Sequence, residues 1–182
     1  MIFDDVLSDG DITLRCIKLE DCTEEYAKWL NNKEINKYLE CRFYIHTIES
    51  VKEFVSSILK SDKDYMFVIL YNNKHIGNIK LGSINTFYSR ADIGYMIGNS
   101  KYFGKGIATK CVQMVTKFGF EKLNLHRIYA GCFEENIGSK RVLEKSGYTF
   151  EGALRKELKV YADSEYQDHY IFGKINNKKD YV

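Results

Sequence analysis

Two glycines in Lys101-Tyr102-Phe103-Gly104-Lys105-Gly106 stand directly ahead of an amphipathic run with Ile107, Cys111, Met114, Val115 and Phe118 on one face. A glycine turn lets successive backbone N–H groups converge, and the start of a helix adds partial positive charge at the same point. Together they suit an anion of the diphosphate kind. Two familiar phosphate spellings do not fit. A P-loop needs four residues between its glycines, but five separate Gly98 from Gly104, and Gly106 stands where the magnesium-binding hydroxyl belongs. A dinucleotide fingerprint fails at Thr109, which lacks the third glycine, and the segment lies far from the N-terminal βαβ unit that normally carries it.

The other reactive side chains narrow the chemistry further. His46, His75, His126 and His169 show neither HExxH nor HxxxH spacing, so no metal site is expected. Cys16, Cys22, Cys41, Cys111 and Cys132 are scattered without a CxxC pair, the pattern of reduced structural thiols. A net charge of +2 gives no reason to expect a nucleic-acid partner, and Lys178-Lys179 at the tail is too short for a basic arm. No apolar run approaches the roughly 20 residues that span a bilayer. The acidic start MIFDDVLSDGD also differs from a basic secretory leader, so a cytoplasmic protein without a membrane partner is expected. With 182 residues, 45% apolar and 29% charged, a single domain over 1–182 is expected.

The turn must be held by a sheet and helices, and the periodicities supply them. Ile12 to Leu19 alternates as a first strand, and Asp21 or Thr23 can cap a helix in which Tyr26, Trp29 and Leu30 share a face. A second short helix is expected over 34–39. Thr47 to Lys60 carries Val51, Phe54, Val55, Ile58 and Leu59 at helical spacing, with the capping-box position filled by Ser50 and Glu49 one place early. Tyr65 to Tyr71 and Lys74 to Leu81 flank Asn72-Asn73 as a hairpin, and 87–97 adds a strand. The helix after Gly106 is expected to end near Gly119 or Asn124. Arg127 to Phe133 reads as a buried strand, Asn136 to Ser146 as a helix stopped by Gly147, and 148–160 with 166–174 as a closing hairpin. The order predicts an α+β fold with one mixed sheet.

A strand, a short glycine turn and a helix, followed about 30 residues later by Asn136, resemble the GCN5-related N-acetyltransferase (GNAT) superfamily. Its pyrophosphate loop, R/Q-x-x-G-x-G/A, corresponds to Lys101 through Gly106, with lysine at the first place. A second segment, Asn136-Ile137-Gly138-Ser139, then Leu143-Glu144-Lys145-Ser146-Gly147-Tyr148 and Glu151-Gly152, is similar to the branch of the RimJ- and RimL-type ribosomal-protein alanine acetyltransferases. The resemblance runs from about Ile12 to the C-terminus. It implies a mixed, mostly antiparallel sheet with helices on both faces, splayed between the fourth and fifth strands.

It also implies acetyl-CoA as cofactor and acetyl transfer to an amine acceptor. Amides of Tyr102, Phe103, Gly104, Lys105, Gly106, Ile107, Ala108 and Thr109 would take the diphosphate. The backbone near Tyr95, Met96 and Ile97 would orient the thioester, and Asn136 would bind the cofactor arm or an ordered water. The tyrosine that often protonates the thiolate is replaced by Leu143, and Ser139 is the implied proton donor, with helix packing or capping as its other reading. Asp92 shares a strand face with Gly94 and Met96, and either deprotonates the amine through water or only attracts it or pairs with Arg90. Glu157 is a second candidate base.

Other side chains carry two readings each. Tyr95, Tyr102 and Phe103 wall an acetyl tunnel or pack as core and rim; Arg42, Tyr44 and His46 touch the acceptor or pack their loop. His126 fits a helix-end dipole better than catalysis. The acceptor is a protein N-terminal amine or a small amine such as a nucleotide-linked amino sugar. A homodimer is compatible with the family, and the missing tyrosine leaves a non-catalytic acyl-CoA-binding module as the alternative.

Overall fold

The computed structural model describes residues 6–177. The chain runs β1 Leu7–Asp9, β2 Ile12–Cys16, α1 Glu24–Asn31, α2 Lys33–Asn36, α3 Ile48–Lys60, β3 Tyr65–Tyr71, β4 Lys74–Asn85 and β5 Arg90–Ile97. It continues with α4 Ile107–Glu121, β6 Arg127–Phe133, α5 Ile137–Lys145, β7 Thr149–Lys159 and β8 Tyr166–Ile175. The strands form one sheet in the order β1-β2-β3-β4-β5-β6-β8-β7, antiparallel throughout except for the parallel β5–β6 pair.

Strand alternation divides the apolar residues between two cores. Phe67 and Ile69 of β3, with Ala91, Ile93 and Tyr95 of β5, face the side covered by α4, where Cys111, Val112, Val115 and Phe118 pack. Met66 and Val68, with Met96, face the side covered by α1 and α3, where Trp29, Leu30, Val51 and Val55 pack. The expected mixed sheet with helices on both faces is therefore present. The splayed strands are the fifth and sixth, because the three-residue β1 precedes the strand expected first.

Local departures from the expected elements have identifiable causes. The first strand ends at Cys16, and Asp21 turns back to accept two hydrogen bonds from Arg15 at 2.7 and 2.8 Å, so Thr23 alone caps α1. Ser50 completes the capping box of α3 by bonding Thr47 N at 3.0 Å. Asn72 and Asn73 both take positive φ, 48° and 61°, as a two-residue hairpin turn demands. Gly119 lies inside α4: a Cβ there would meet Ile128 Cδ1 at 2.7 Å, so its smallness lets the helix approach β6. The left-handed Asn124 (φ 52°) follows the helix end at Glu121. Gly98 is similarly a contact glycine, since a Cβ would fall 2.1 Å from the Trp29 ring, and it seats α1 on the end of β5. Cys111 and Cys132 are buried thiols, pushed by burial up to about 12 and about 11. Among the described residues no helix is long and apolar enough to cross a membrane. The Lys178-Lys179 pair lies outside the described residues.

Candidate active site

β5 and β6 pair only through Arg90–Arg127, Ala91–Ile128 and Asp92–Tyr129. Beyond that point β5 continues against β4 as far as Ile97–Gly77, while β6 continues against β8 as far as Phe133–His169. A wedge-shaped gap therefore opens between two strand edges, each presenting backbone N–H and C=O groups that lack a ladder partner on that side. Such an edge can bind an extended, amide-bearing chain as a further strand would.

The glycine turn stands at the wide end of the gap. A helical turn, Ser100–Tyr102, is capped by Asn99, whose side chain accepts from Lys101 N at 3.0 Å. Gly104 and Gly106 follow with φ of 72° and 77°, a conformation costly for other residues. A Cβ at either glycine would meet nothing within 4 Å, so both open outward. Gly106 caps α4 without any side-chain acceptor, which leaves the first amides of a 15-residue helix available. The Lys101 and Lys105 ammonium groups lie 5.1 and 5.7 Å from the Tyr102 ring centre and hold positive charge over the turn. Ile107 sends its side chain into the core, Tyr102, Ala108 and Thr109 are half-buried, and Phe103, Gly104, Lys105 and Gly106 are exposed. This cradle fits a diphosphate by its free amides, open glycines and two cations.

On the α4 side of the gap, the structure joins two of the candidate residues. The Tyr95 hydroxyl lies 2.8 Å from Ser139 Oγ and also donates to the Ser139 carbonyl at 3.3 Å. Burial pushes the Tyr95 phenol well above its ordinary range, against the opposing pull of Ser139, so it stays protonated at neutral pH. Asn136 caps α5 by accepting from Ser139 N at 3.1 Å, so capping belongs to Asn136 and leaves the Ser139 hydroxyl to Tyr95. Leu143 is fully buried in the core. The sequence offered the Tyr95 ring as a tunnel wall or as packing, and its hydroxyl partnership with Ser139 was not legible there; the partnership spans 44 residues and depends on how α5 docks against β5.

Asp92 belongs to the opposite face, with Met96, and does not meet Ser139. Its Oδ1 is buried and has no hydrogen-bond partner among the described residues. Arg90 stacks on Tyr88 at 5.4 Å, and no Arg90–Asp92 ion pair forms among the described residues. The register puts Tyr129, Gly131 and Phe133 of β6 and His169 of β8 on Asp92's face. Glu157 Oε2 stands 2.6 Å from His169 Nδ1.

The loop after α2 closes this face through Arg42, whose side chain is 2% exposed. Arg42 donates to the Leu39 carbonyl at 2.7 Å, to the Val160 carbonyl at 2.7 Å and to the Lys159 carbonyl, and its guanidinium lies over Phe133 at 5.0 Å. His46 Nε2 donates to the Cys41 carbonyl at 2.9 Å. Loop packing is thus the reading that holds for Arg42 and His46, while Tyr44 is exposed. Arg42→Met removes the donor from three carbonyls, at a cost of about 2–4 kcal/mol. Denaturant unfolding should register that loss.

Residues 11–149 match the acetyltransferase (GNAT) domain family. The chain is 33% identical over 141 residues to the probable N-acetyltransferase YjcK of Bacillus subtilis (strain 168), covering 72% of this chain and 74% of that one. It therefore belongs to the GNAT family and is an N-acetyltransferase that uses acetyl-CoA. It is also 27% identical over 152 residues to the spermidine N(1)-acetyltransferase of Escherichia coli (strain K12), covering 83% of this chain and 80% of that one. Among solved structures, the ribosomal-protein-S5-alanine acetyltransferase of Vibrio fischeri superposes with a TM-score of 0.82 at 27% identity, over 96% of this chain and 98% of that one.

Proposed function

We propose that the chain, acting as one domain, transfers the acetyl group of acetyl-CoA directly to a primary amine on a protein N-terminus, as a RimJ/RimL-type enzyme. The reading rests above all on the division of chemistry across the gap: a Tyr95–Ser139 hydroxyl pair on one face and the unpartnered Asp92 carboxylate on the other. Acetyl-CoA supplies the activated acetyl thioester. The amides of the Gly104–Gly106 turn and the start of α4 hold its diphosphate, and the free edge at Tyr95, Met96 and Ile97 orients the thioester carbonyl. Ser139, backed by the protonated Tyr95, gives a proton to the departing sulfur. Asp92 draws the amine in as its ammonium form, because a half-buried carboxylate with one oxygen shielded and unpaired gains from an incoming cation.

The exposed Phe43, Tyr44 and Ile45 beside the Arg42 clamp favour an acceptor with a body extending past its amine, as a peptide has. A small cationic amine is the second reading, favoured by the similarity to a spermidine acetyltransferase and by the carboxylates of Asp92 and Glu157 on this face. A nucleotide-linked amino sugar completes the range. Thiol release from acetyl-CoA, measured with N-terminal peptides, polyamines and amino-sugar nucleotides, decides among them. The peptide series should give a kcat/KM at least tenfold above the others; acetyl-CoA binding with no thiol release on any class would overturn catalysis by this site.

A further inference from the structure

On the acceptor side of the gap, an imidazole is built into the sheet surface in a way that packing does not require. His169 of β8 lies opposite Phe133, at the end of the β6 segment that has left β5. Its ring occupies space that any side chain at position 131 would fill: a Cβ at Gly131 would stand 1.9 Å from Nε2 and 2.7 Å from Cε1. Nε2 therefore rests on the bare backbone of β6, two residues past the last β5–β6 pair at Tyr129, about 7 Å along the strand. The other nitrogen, Nδ1, is held by Glu157 at 2.6 Å.

Glu157 reaches the ring because β7 is irregular there. The β7–β8 register shifts between Leu154 and Leu158, Lys156 takes a left-handed φ of 53°, and its amide donates to Asp168 Oδ1 at 3.0 Å. A non-glycine residue in that conformation costs about 1–3 kcal/mol, so the bulge is paid for by what it places. The charged groups beside the ring are Glu157 with Lys156 and Arg155 at the β7 bulge, and Arg42, which lies over Phe133, while Asp168 and Glu134 belong to the opposite face with Tyr170.

We propose that His169, oriented by Glu157, is the base that takes a proton from the acceptor ammonium. The assignment rests on the acetyl-transfer reading above. Glu157 acts as a positioning residue: its carboxylate fixes the tautomer with hydrogen on Nδ1 and leaves Nε2 as the acceptor. Nε2 removes one proton from the ammonium; the neutral nitrogen then bonds to the acetyl carbon as the carbon–sulfur bond breaks and the sulfur leaves with its electron pair. Of the two protons the amine surrenders, one leaves through His169 to solvent, and the other returns to the Ser139 oxygen in place of the proton that Ser139 gives the thiolate. Gly131 is the residue that lets the ring lie close enough to the gap for this.

The test compares wild type with His169→Ala, His169→Gln, Glu157→Gln and Gly131→Ala in thiol-release assays on the best amine, with acetyl-CoA affinity measured by calorimetry. His169→Ala should lose about 10²-fold in kcat/KM, within the usual range for a general base, at unchanged acetyl-CoA affinity. Added imidazole should restore a large part of that rate, and should restore little in His169→Gln, where the amide fills the space. Glu157→Gln should lose about tenfold, and Gly131→Ala, which expels the ring, should approach the His169→Ala rate. His169→Ala or His169→Gln at the wild-type rate would overturn the assignment, as would a His169→Ala deficit that imidazole leaves untouched. A wild-type enzyme that binds acetyl-CoA but turns over no amine would overturn the acetyl-transfer reading and this assignment with it, whereas the preceding outcomes remove His169 alone.

Discussion

Gly106→Val is expected to weaken acetyl-CoA binding by at least 30-fold while lowering Tm by only a few degrees. Two separate effects set these sizes. The left-handed φ of 77° costs a residue with a Cβ about 1–2 kcal/mol. For a chain of 182 residues that corresponds to roughly 2–8 °C. No steric clash adds to it, because a Cβ at Gly106 meets nothing within 4 Å. The same openness is what harms binding, since the new side chain projects over the uncapped first amides of α4, where the diphosphate is proposed to sit. Each charge-assisted hydrogen bond lost there costs about 1.5–3 kcal/mol, or roughly 10- to 150-fold in affinity.

Gly106→Asn separates strain from obstruction. Asparagine tolerates the left-handed region, so its Tm should stay near that of wild type while affinity still falls, by roughly tenfold. Calorimetry with acetyl-CoA and thermal unfolding on the same samples read both quantities. A Gly106→Val protein that binds acetyl-CoA as tightly as wild type would remove the diphosphate from this turn.

The elements with strong periodicity were legible from residues alone. α3 and α4 carry unbroken apolar faces, and the Asn72-Asn73 turn names its own geometry. The strand Leu7–Asp9 was not, since three residues give alternation nothing to repeat; Gly98 entered only through a P-loop spelling that fails and Gly119 as a helix end, although both are contact glycines. The gap itself has no periodic signature: β5 and β6 alternate alike whether or not they pair, so the splay was legible only through the resemblance carried by Gly104, Gly106, Asn136 and Ser139. Side-chain partnerships across the site were less legible still. Alternation cannot assign Glu157 to a face, because the bulge at Lys156 resets the phase of β7, and His169 enters the site only through its register with Phe133.

The second large effect is expected at the proton donor. Ser139→Ala should lower kcat about 10²-fold while changing acetyl-CoA affinity less than threefold, because a hydroxyl that acts on the leaving sulfur matters only as the carbon–sulfur bond breaks. Tyr95→Phe should cost about tenfold in kcat and about 1 kcal/mol in stability, since it strips Ser139 Oγ of its 2.8 Å partner inside the protein. If the two hydroxyls work as one relay, the double variant will be no slower than Ser139→Ala alone, as groups that act as a unit are not additive. A selenoester analogue of acetyl-CoA sharpens the test, because a selenol departs readily without a proton. With that donor the Ser139→Ala deficit should shrink to a few-fold, whereas a serine that merely packs α5 against β5 would give the same deficit with either donor. Equal deficits, or losses that multiply in the double variant, would return Ser139 and Tyr95 to a structural role and leave the thiolate to leave unprotonated, as the buried Leu143 at the position of the usual acid would then also imply.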